Sequence, residues 1–451
     1  MPKIGLEIHG YIDTNEKLFC TCKAEHGLKF FKPNTNICPI CTAQPGAKPM
    51  LPNSQAINKI IQIALILGCN INSKFAFQRK HYDWPDLPKG YQDTISGTHA
   101  IPVGVNGKFQ NIKITEVHLE EDPAAWNPQT GEIDYNRSGS PLVEIVTEPD
   151  FKTSEQVVDW LKQLILTLSY IKAIDKNAGI KADVNVSIPN GARVEIKNVN
   201  SITNIKRAIE HEIQRQEKEK PKIQETRRFD DIKGTTSMMR TKEQAQDYRF
   251  ISEPDLPVIK IENQRIQKIR QYLPETPHVK LKRLIKKYKI EPKHAEILTK
   301  KLDIVEFFER VVKKIHPKIA TPWTTIELLS VLNYNKKELE NIDINPEHFI
   351  ELLQLLEKKA ITELKAQEIL RSWTTKSSSP KALAKAHSVI SGKSEMQKIV
   401  QRVIKQNPQA IEDYKSGKQE SLNFLIGQIM KLSDKRADYK VAKELLEKTI
   451  N

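Results

Sequence analysis

Four of the five cysteines of the chain lie near its N-terminus, in two pairs whose spacing suits metal binding. The pairs are Cys20-x-Cys22 and Cys38-x-x-Cys41, and the segment between them can fold back so that four thiolates meet. Four thiolates are a ligand set of tetrahedral structural Zn²⁺, and they leave no open coordination position for catalysis. The pattern therefore predicts a structural zinc ion bound by Cys20, Cys22, Cys38 and Cys41. The alternative is four reduced thiols without a metal.

Two alternating segments place acidic and imidazole side chains where they could bind a second metal ion. Alternation along Gly5-Leu6-Glu7-Ile8-His9 puts Glu7 and His9 on one face of a strand. A second strand candidate, 112–122, ends in Glu120-Glu121-Asp122. Adjacent carboxylates repel one another unless a cation or basic groups hold them, and Mg²⁺ prefers oxygen ligands. We therefore predict a Mg²⁺ site here; the alternative for each segment is a solvated polar surface.

A third segment has the pattern of a β-hairpin with a polar face. Alternating runs at 183–188 and 193–197 flank the turn Pro189-Asn190-Gly191, and Asn-Gly between such runs is a strong hairpin signal. Acids, amides and bases on one sheet face suit the floor of a site for a charged ligand, although a solvated sheet face is the alternative. The residues of this face are Asp183, Asn185, Ser187, Arg193, Glu195 and Lys197.

The sequence lacks the loops with which many nucleotide-binding proteins hold phosphate groups. It contains neither Gly-x-x-x-x-Gly-Lys-Ser/Thr nor Gly-x-Gly-x-x-Gly. Its residues also do not suggest a Ser-His-Asp or Cys-His catalytic arrangement. A nucleotide would therefore have to be bound by carboxylates, a metal ion and scattered basic residues.

Length and charge narrow the class of protein. A chain of 451 residues predicts about two to four domains. The net charge of +15 and a pI near 9.3 indicate a polyanionic partner. We expect no signal peptide, and no run approaches the roughly 18 apolar residues of a membrane span. Together with the cysteine pattern, these features predict a cytoplasmic protein that does not contact a membrane.

The residue pattern changes twice along the chain, which predicts an α+β fold with three domains. Residues 1–272 are typical of strands and turns, and we predict a mixed, β-rich catalytic cradle that includes the cysteine element. Over 273–373 apolar residues recur every three or four positions, which predicts a helical domain. A Ser/Thr-rich hinge, 374–380, precedes a region rich in Lys and Arg. We predict that 374–451 is a basic helical tail that binds tRNA.

Longer motifs across residues 1–260 carry a resemblance to a known family. The motifs are Gly5-Leu6-Glu7-Ile8-His9, the four-cysteine segment, Tyr82-x-x-Pro85-Asp86-Leu87-Pro88-Lys89-Gly90-Tyr91-Gln92, His118-Leu119-Glu120-Glu121-Asp122, the run 133–150, Gln224-Glu225-Thr226-Arg227-Arg228, Met239-Arg240-Thr241-Lys242-Glu243, Asp247-Tyr248-Arg249 and Glu253-Pro254-Asp255-Leu256-Pro257. In type and order they resemble the B subunits of tRNA-dependent amidotransferases, the GatB/GatE family. The related E subunits have a large extra domain for which this chain has no room, so the B subunits are the better match.

The resemblance implies an activity. Family members convert glutamate or aspartate, mischarged on tRNA(Gln) or tRNA(Asn), into the amide for translation. The B subunit phosphorylates the side-chain carboxylate with ATP and Mg²⁺, and ammonia released from glutamine by a separate amidase A subunit displaces the phosphate. The resemblance thus implies a ligase that forms a carbon–nitrogen bond. Its implied partners are the A subunit, a small C subunit and mischarged tRNA.

The resemblance also assigns roles to residues. Glu7, His9, Glu120 and Glu121 match its metal-site motifs and are expected to bind Mg²⁺ at the catalytic centre. Lys80 and Lys89 match positions near the mouth of the ammonia path, where a neutral lysine or a proton relay is expected. Tyr82, from the same motif as Lys89, is expected among the catalytic residues. The expected substrate-binding residues are Arg137, Asp183, Asn185, Ser187, Glu195 and Lys197.

The sequence departs from the family pattern in places that bear on ligand contacts, and two other functions stay open. Pro123-Ala124-Ala125 follow the acidic triplet where the family has a Gly and a basic residue, and 433–439 lacks the usual Gly and Pro. These departures leave a phosphate contact and the tRNA contact of the tail open. The first alternative function is a tRNA-binding scaffold without catalysis. The second is a ligase that uses free ammonia without partner subunits.

Overall fold

The computed structural model describes residues 1–24, 32–175, 178–241, 249–381, 389–390 and 393–450. The chain divides into two compact units, 1–276 and 277–451. The first is built on a large mixed sheet and the second is helical, which confirms the predicted α+β fold. Of the regions named above, Lys242-Glu243, Asp247-Tyr248 and residues 382–388, 391–392 and 451 of the tail lie outside the described residues. The three-domain division stays a prediction.

Among its described residues, the first unit contains short and long strands and four helices. Its strands are β1 (Lys3–Tyr11), β2 (Asn70–Ile71), β3 (Lys74–Phe75), β4 (Gln78–His81), β5 (Tyr91–Thr94), β6 (Gly104–Phe109), β7 (Ile112–Glu121), β8 (Ala125–Trp126), β9 (Ile133–Asp134), β10 (Pro141–Thr147), β11 (Ile180–Ser187), β12 (Val194–Asn200), β13 (Glu225–Asp230), β14 (Thr235–Thr241), β15 (Ile251–Ser252) and β16 (Ile259–Lys260). Its helices are α1 (Ser54–Ile66), α2 (Ser154–Tyr170), α3 (Ile202–Glu219) and α4 (Asn263–Tyr272).

Strand β1 lies in the middle of the large sheet, where it pairs antiparallel with β10 on one side and β11 on the other. The main path through the sheet is β14-β13-β12-β11-β1-β10-β7-β5-β4-β15, and β6 joins β7 beside it. The predicted hairpin is confirmed, because β11 and β12 pair antiparallel with Asn185 opposite Glu195. The order brings distant segments of the chain to both edges of β1.

The apolar face of this sheet is the core of the first unit. Ile4, Leu6 and Ile8 of β1 are at most 2% exposed, and burial of each such side chain contributes about 1.5–3 kcal/mol. Helices α2 and α3 pack together, and α3 also packs on β11 and β12. Helix α2 begins at the cap residue Thr153, whose side chain accepts a hydrogen bond from the Gln156 backbone. The opposite, polar face of the sheet is thereby left for a site.

The second unit is helical throughout the residues that the structure describes. Its helices are α5 (Pro277–Tyr288), α6 (Pro292–Leu298), α7 (Leu302–Val311), α8 (Pro317–Pro322), which continues through a π-helical turn (Trp323–Leu328) into α9 (Leu329–Tyr334), then α10 (Pro346–Glu357), α11 (Glu363–Ser372), α12 (Lys393–Gln406), α13 (Pro408–Lys415), α14 (Gln419–Leu432) and α15 (Tyr439–Ile450), with a 3₁₀ turn at Leu339–Asn341. Across the described ranges, no helix combines the length and hydrophobicity that a membrane span requires.

Helices α12, α14 and α15 share an apolar core. Met396, Val400 and Val403 of α12 recur at spacings of four and three, and each is at most 1% exposed. They pack against Leu425 and Ile429 of α14, among other apolar side chains. This repeat is the signature of an amphipathic helix whose remaining faces are available to solvent or a partner.

Candidate active site

Strand β1 presents Glu7 and His9 on the face opposite its buried Leu6 and Ile8, as the alternation predicts. The strand register then selects their neighbours. Glu7 lies opposite Asp183 of β11, and His9 lies opposite Glu144 of β10. Strand pairing therefore concentrates acidic groups on the polar face around β1.

One cluster on this face consists of His9, Glu120 and Glu144. Each offers a ligand atom, and these atoms lie within 4.8 Å of one another. The Nε2 atom of His9 is 4.0 Å from Oε2 of Glu120. The hydroxyl of Thr94 donates to Oε1 of Glu120 at 2.5 Å, which fixes this carboxylate from its other side. The cluster offers one imidazole nitrogen and two carboxylates around one point.

The two carboxylates of this cluster have opposite pKa shifts. Burial, followed by the charge of Glu144, raises the pKa of Glu120. Burial would also raise the pKa of Glu144, but the hydrogen bond and charge of His118 outweigh it and hold that pKa well below its usual value. Nδ1 of His118 is 3.5 Å from Glu144, and its Nε2 is 2.6 Å from Glu116. These acids raise the pKa of His118 to about 10 although burial opposes them, so an imidazolium lies behind Glu144.

A second cluster, Glu7, Asp183 and Glu195, has the same 4.8 Å spread of ligand atoms. Lys197 forms ion pairs with Asp183 at 2.6 Å and with Glu195 at 3.0 Å. Burial raises the pKa of Glu7, whereas the charge of Lys197 helps to lower the pKa of Asp183 against its burial. The amide of Asn185 donates to Glu7 at 3.2 Å. A single ammonium group thus faces three carboxylates.

Both clusters fit a hard divalent cation. Their donors are mainly carboxylate oxygens, which are the ligands that Mg²⁺ and Ca²⁺ prefer. Within the described residues, Oδ1 of Asn185 and Oδ1 of Asp86 are buried without a hydrogen-bond partner. A buried oxygen acceptor of this kind requires a partner, which can be a cation, a water molecule or a donor-bearing ligand. The donor set therefore supports metal binding on this face of the sheet.

A cavity of about 430 Å³ adjoins both clusters. Its wall combines acids with basic and aromatic groups. The lining residues are His9, Gly10, Tyr11, Lys80, Tyr82, Trp84, Asp86, Gln92, Glu120, Asp122, Pro123, Arg137, Leu142, Ala178, Gly179, Ile180, Lys181, Asp183, Lys197, Asn198, Thr226 and Met239. Of the predicted residues it brings together His9, Lys80, Tyr82, Glu120, Arg137, Asp183 and Lys197. Its size and mixed polarity suit a charged small-molecule group.

The basic and phenolic groups of the cavity interact electrostatically with its acids. The charge of Lys80 opposes the rise in the pKa of Glu120 and helps to lower the pKa of Glu144. Burial, followed by the negative charge of nearby carboxylates, raises the pKa of Tyr82, so this phenol is neutral at physiological pH. Arg137 lies 3.4 Å from Asp122. Lys80 and Arg137 therefore both lie near acidic groups of the cavity wall.

Arg137 also fixes the segment that departs from the family pattern. Its guanidinium donates to the backbone carbonyl groups of Pro123 at 3.1 Å and Ala124 at 3.0 Å. Tyr11 donates to the same Asp122 carboxylate that faces Arg137, at 2.6 Å. The segment 123–124 therefore offers carbonyl groups in this position, and Arg137 is a cation that lines this part of the cavity.

Glu121 and Lys89 are placed away from the two acid clusters. Adjacent strand residues point to opposite faces, so Glu121 does not join Glu120. Glu121 instead forms an ion pair with Lys89 at 2.5 Å, and Lys89 also contacts Asp93. Burial would lower the pKa of Lys89, but the charges of Glu121 and Asp93 outweigh burial and raise it. This environment stabilises the charged ammonium of Lys89, which disfavours the neutral-lysine alternative and leaves the proton relay as the prediction for this residue.

Besides Glu121 and Lys89, a third predicted residue lies outside both clusters and the cavity, and one residue of a cluster was not predicted. Ser187 lies opposite Lys3 near the beginning of β1 and does not line the cavity. Glu144 was not predicted as a site residue, although it belongs to the His9 cluster. Its signal was a lone carboxylate inside the apolar run Leu142-Val143-Glu144-Ile145-Val146. A buried acid in such a run requires a partner.

The four N-terminal cysteines also converge. The sulfur atoms of Cys20, Cys22, Cys38 and Cys41 lie within 4.8 Å of one another, so the cluster could hold a metal ion. A hydrogen bond from Cys20 is the largest of the effects that lower the pKa of Cys41 to about 5. Burial is the largest of those that raise the pKa of Cys22 to about 11. Four sulfur donors at one point suit the tetrahedral geometry of zinc.

Comparison with known proteins identifies the family of this chain. The GatB/GatE catalytic domain matches residues 2–267, and a GatB domain matches residues 306–450. The chain belongs to the GatB/GatE family. A relative from Methanothermobacter thermautotrophicus is 42% identical over 99% of this chain and 100% of its own length. A relative from Methanopyrus kandleri is 41% identical over 100% of this chain and 98% of its own length. Both are named as the B subunit of aspartyl/glutamyl-tRNA(Asn/Gln) amidotransferase.

Both family domains coincide with features described above. The catalytic-domain match contains the cysteine cluster, both acid clusters and the cavity. The GatB-domain match contains the apolar core of α12, α14 and α15. A third relative, from Methanocaldococcus jannaschii, carries the same name and is 42% identical over 100% of this chain and 98% of its own length.

Proposed function

We propose that the protein is the B subunit of a tRNA-dependent amidotransferase. It phosphorylates the side-chain carboxylate of glutamate or aspartate mischarged on tRNA(Gln) or tRNA(Asn), with ATP as phosphoryl donor. It then catalyses replacement of the phosphate by ammonia from a glutaminase subunit. The observation that carries this proposal is the pair of acid clusters beside one cavity that also contains Lys80, Arg137 and Lys197.

The proposed chemistry explains why the site combines acids with cations. A carboxylate becomes a good electrophile only when one of its oxygens is turned into a leaving group. Phosphoryl transfer depends on positioning and on stabilisation of negative charge. His9, Glu120 and Glu144 would hold one Mg²⁺ ion, and Glu7, Asp183 and Glu195 would hold another. When bound, Mg²⁺ supplies charge neutralisation at the phosphate oxygens.

The basic residues and Tyr82 have separate roles in this proposal. Lys197 holds Asp183 and Glu195 in place before substrate enters. Lys80 and Arg137 stand at the cavity wall, where they attract the phosphates and the substrate carboxylate. Tyr82 is neutral there, so its hydroxyl can donate a hydrogen bond to an oxygen of the substrate. On the other face of the sheet, Lys89, Asp93 and Glu121 form the polar group that we assign to the ammonia path.

The proposal includes partners and a structural metal. The glutaminase A subunit, a small C subunit and mischarged tRNA are the partners, and the cytoplasm is the compartment. Zn²⁺ is the ion that we assign to Cys20, Cys22, Cys38 and Cys41. Its role is structural, because four thiolates leave no position for a substrate.

Reconstitution tests the activity directly. The full chain, combined with the amidase and small subunits, should form amidated tRNA from mischarged tRNA, ATP, Mg²⁺ and glutamine. Phosphate release from ATP should require the mischarged tRNA, and both tRNAs should be assayed separately. Binding of tRNA without dependent phosphate release would favour the non-catalytic scaffold. Full activity of the isolated chain with free ammonia, and no gain from adding the other subunits and glutamine, would favour a ligase without partners.

The exposed basic face of α12 should contribute to tRNA binding. Lys398, Arg402 and Lys405 are exposed at helical spacings of four and three, so they share one face. Changing all three to glutamine should weaken tRNA binding and lower the slope of log affinity against log salt by about one per lost phosphate contact. Filter binding at several salt concentrations measures both, and ATP binding should be unchanged.

A matched variant removes the same charge elsewhere. Lys282, Lys286 and Lys287 of α5 are also exposed, and we regard this basic helix as a weaker candidate for tRNA contact than the tail. Their triple glutamine variant should retain most of the affinity. If the α5 variant lost the salt dependence and the α12 variant kept it, the assignment of the tail would be wrong.

A further inference from the structure

Lys17 is a fully buried lysine beside the four-cysteine cluster. Only 1% of the residue is exposed, and its Nζ atom lies 3.5 Å from Sγ of Cys41. The same ammonium donates to the backbone carbonyl groups of Asn36 at 3.1 Å and Tyr135 at 3.4 Å. An ammonium is rarely buried unless anionic partners balance its desolvation. The described contacts give it two carbonyl groups and one sulfur, so the sulfur cluster is the source of negative charge.

A four-thiolate zinc site is stabilised by such a cation. Four thiolates around Zn²⁺ carry a net charge of about −2, and burying that charge is unfavourable without a compensating group. A charge-assisted hydrogen bond to a thiolate lowers this penalty and fixes the direction of the ligand. Two of the cysteines, Cys20 and Cys41, are each only 6% exposed. Lys17 therefore has the position and the charge of a group that stabilises the metal-bound thiolates.

Lys17 also belongs to a set of contacts between the cysteine cluster and the segment 134–139. The hydroxyl of Ser138 donates to the carbonyl group of Cys41 at 2.9 Å. The fully buried side chain of Asn136 accepts from the backbone NH groups of Thr35 and Asn36 at 2.9 and 2.8 Å. The side chains of Lys17, Asn136 and Ser138 thus connect this segment to the cysteine loop by hydrogen bonds.

The segment 134–139 contains a residue that lines the cavity. Arg137 lies between Asn136 and Ser138, and its guanidinium faces Asp122 and lines the cavity. At the end of the segment, Gly139 accepts a hydrogen bond from the backbone NH of Leu18 at 2.8 Å. Gly139 has φ +80°, a conformation that glycine adopts without strain. The backbone on both sides of Arg137 is therefore held by the cysteine element.

We propose that Lys17 is a positioning residue that stabilises the four-thiolate metal site and couples it to Arg137. The ammonium holds the Cys41 thiolate on one side and the Tyr135 carbonyl on the other, so the metal site and the Arg137 segment are aligned together. This inference rests on the zinc ion and the amidation activity proposed above. It assigns the zinc ion an indirect effect on catalysis, through the position of one cavity cation.

Substitution of Lys17 tests the metal half of the proposal. Lys17→Met keeps most of the volume and removes the charge, and Lys17→Gln keeps a donor as a second choice if the methionine variant does not fold. Lys23→Met is the control, because Lys23 is exposed in the same element. Chelator competition on the purified full chain should show zinc bound about 10–100-fold more weakly in the Lys17 variants than in wild type. The cobalt-substituted variants should show a shifted thiolate-to-cobalt absorption band, and Lys23→Met should match wild type in both measurements.

The outcomes separate this inference from the proposals on which it rests. Wild-type protein that purifies folded without zinc would overturn the zinc assignment itself. Wild-type zinc affinity and an unshifted cobalt band in both Lys17 variants would overturn the role of Lys17 alone. The coupling to Arg137 is measured in the reconstituted complex at saturating zinc, where Lys17→Met should amidate tRNA about tenfold more slowly than Lys23→Met. Equal rates in an active complex would overturn the coupling, and an inactive wild-type complex would instead overturn the proposed activity.

Discussion

Glu120→Gln should lower the rate of amidated tRNA formation by on the order of 10³-fold or more. The substitution removes one anionic ligand from the His9 cluster while it keeps the shape of a side chain that is only 3% exposed. Losing a ligand of a phosphoryl-transfer metal removes several kcal/mol of transition-state stabilisation, and each 1.4 kcal/mol is about tenfold in rate. Phosphate release dependent on mischarged tRNA should fall in parallel. Glutaminase activity of the partner subunit should remain.

Three further variants make this expectation specific. Glu144→Gln should cause a loss of similar size, because Glu144 offers a ligand atom to the same point. Glu132→Gln is the control, since Glu132 is an exposed acid that does not line the cavity. The double variant Glu7→Ala, Glu120→Ala removes one acid from each cluster. If this double variant still forms amidated tRNA within about tenfold of wild type, the metal site is elsewhere.

The local part of this site could be predicted from the sequence. Period-two alternation placed Glu7 and His9 on one face of β1, and the Asn-Gly turn identified the β11–β12 hairpin. These are properties of neighbouring residues, which backbone geometry fixes almost independently of the rest of the chain. The same rule also explains where Glu121 goes. Grouping it with Glu120 followed their adjacency in the chain, whereas adjacent strand residues face opposite sides.

The non-local part of the site depends on strand order and register. Glu144 meets His9 only because β10 pairs with β1, and Glu7 meets Asp183 only because β11 pairs on the other side. Each partner is more than 130 residues from β1 in the chain, and a register slip of one residue would turn its side chains to the other face. No local pattern specifies such a pairing. The charged state of Lys89 is likewise set by Asp93 and Glu121, which strand pairing brings together.

Lys197→Met should destabilise the metal-free protein by about 3 kcal/mol, at the lower end of the effect of breaking a buried ion pair. The substitution leaves Asp183 and Glu195 without their ammonium partner, and both acids are at most 6% exposed. The lower end applies because the Lys197 side chain is itself 26% exposed and cavity water moderates the loss. Thermal and denaturant unfolding of the full chain, with chelator present, measure the difference. Lys181→Met provides a control, since Lys181 lines the same cavity.

The pH and cation dependence of this loss identify its cause. Without Lys197, the buried acids of the cluster should have raised pKa values in the folded protein, as Glu7 already does. A folded-state pKa above the unfolded value means that the folded state binds more protons, so stability rises as pH falls from neutral toward the ordinary carboxyl range near 4. In wild type the lowered pKa of Asp183 acts in the opposite direction, because the stabilisation that this carboxylate contributes is lost as pH falls through that lowered value.

The difference in unfolding free energy between variant and wild type should therefore become smaller on acidification. Saturating Mg²⁺ should narrow it as well, since a cation that binds only the folded state replaces the missing charge. A gap independent of both pH and Mg²⁺ would show that Lys197 acts through packing and not as the counterion of this cluster.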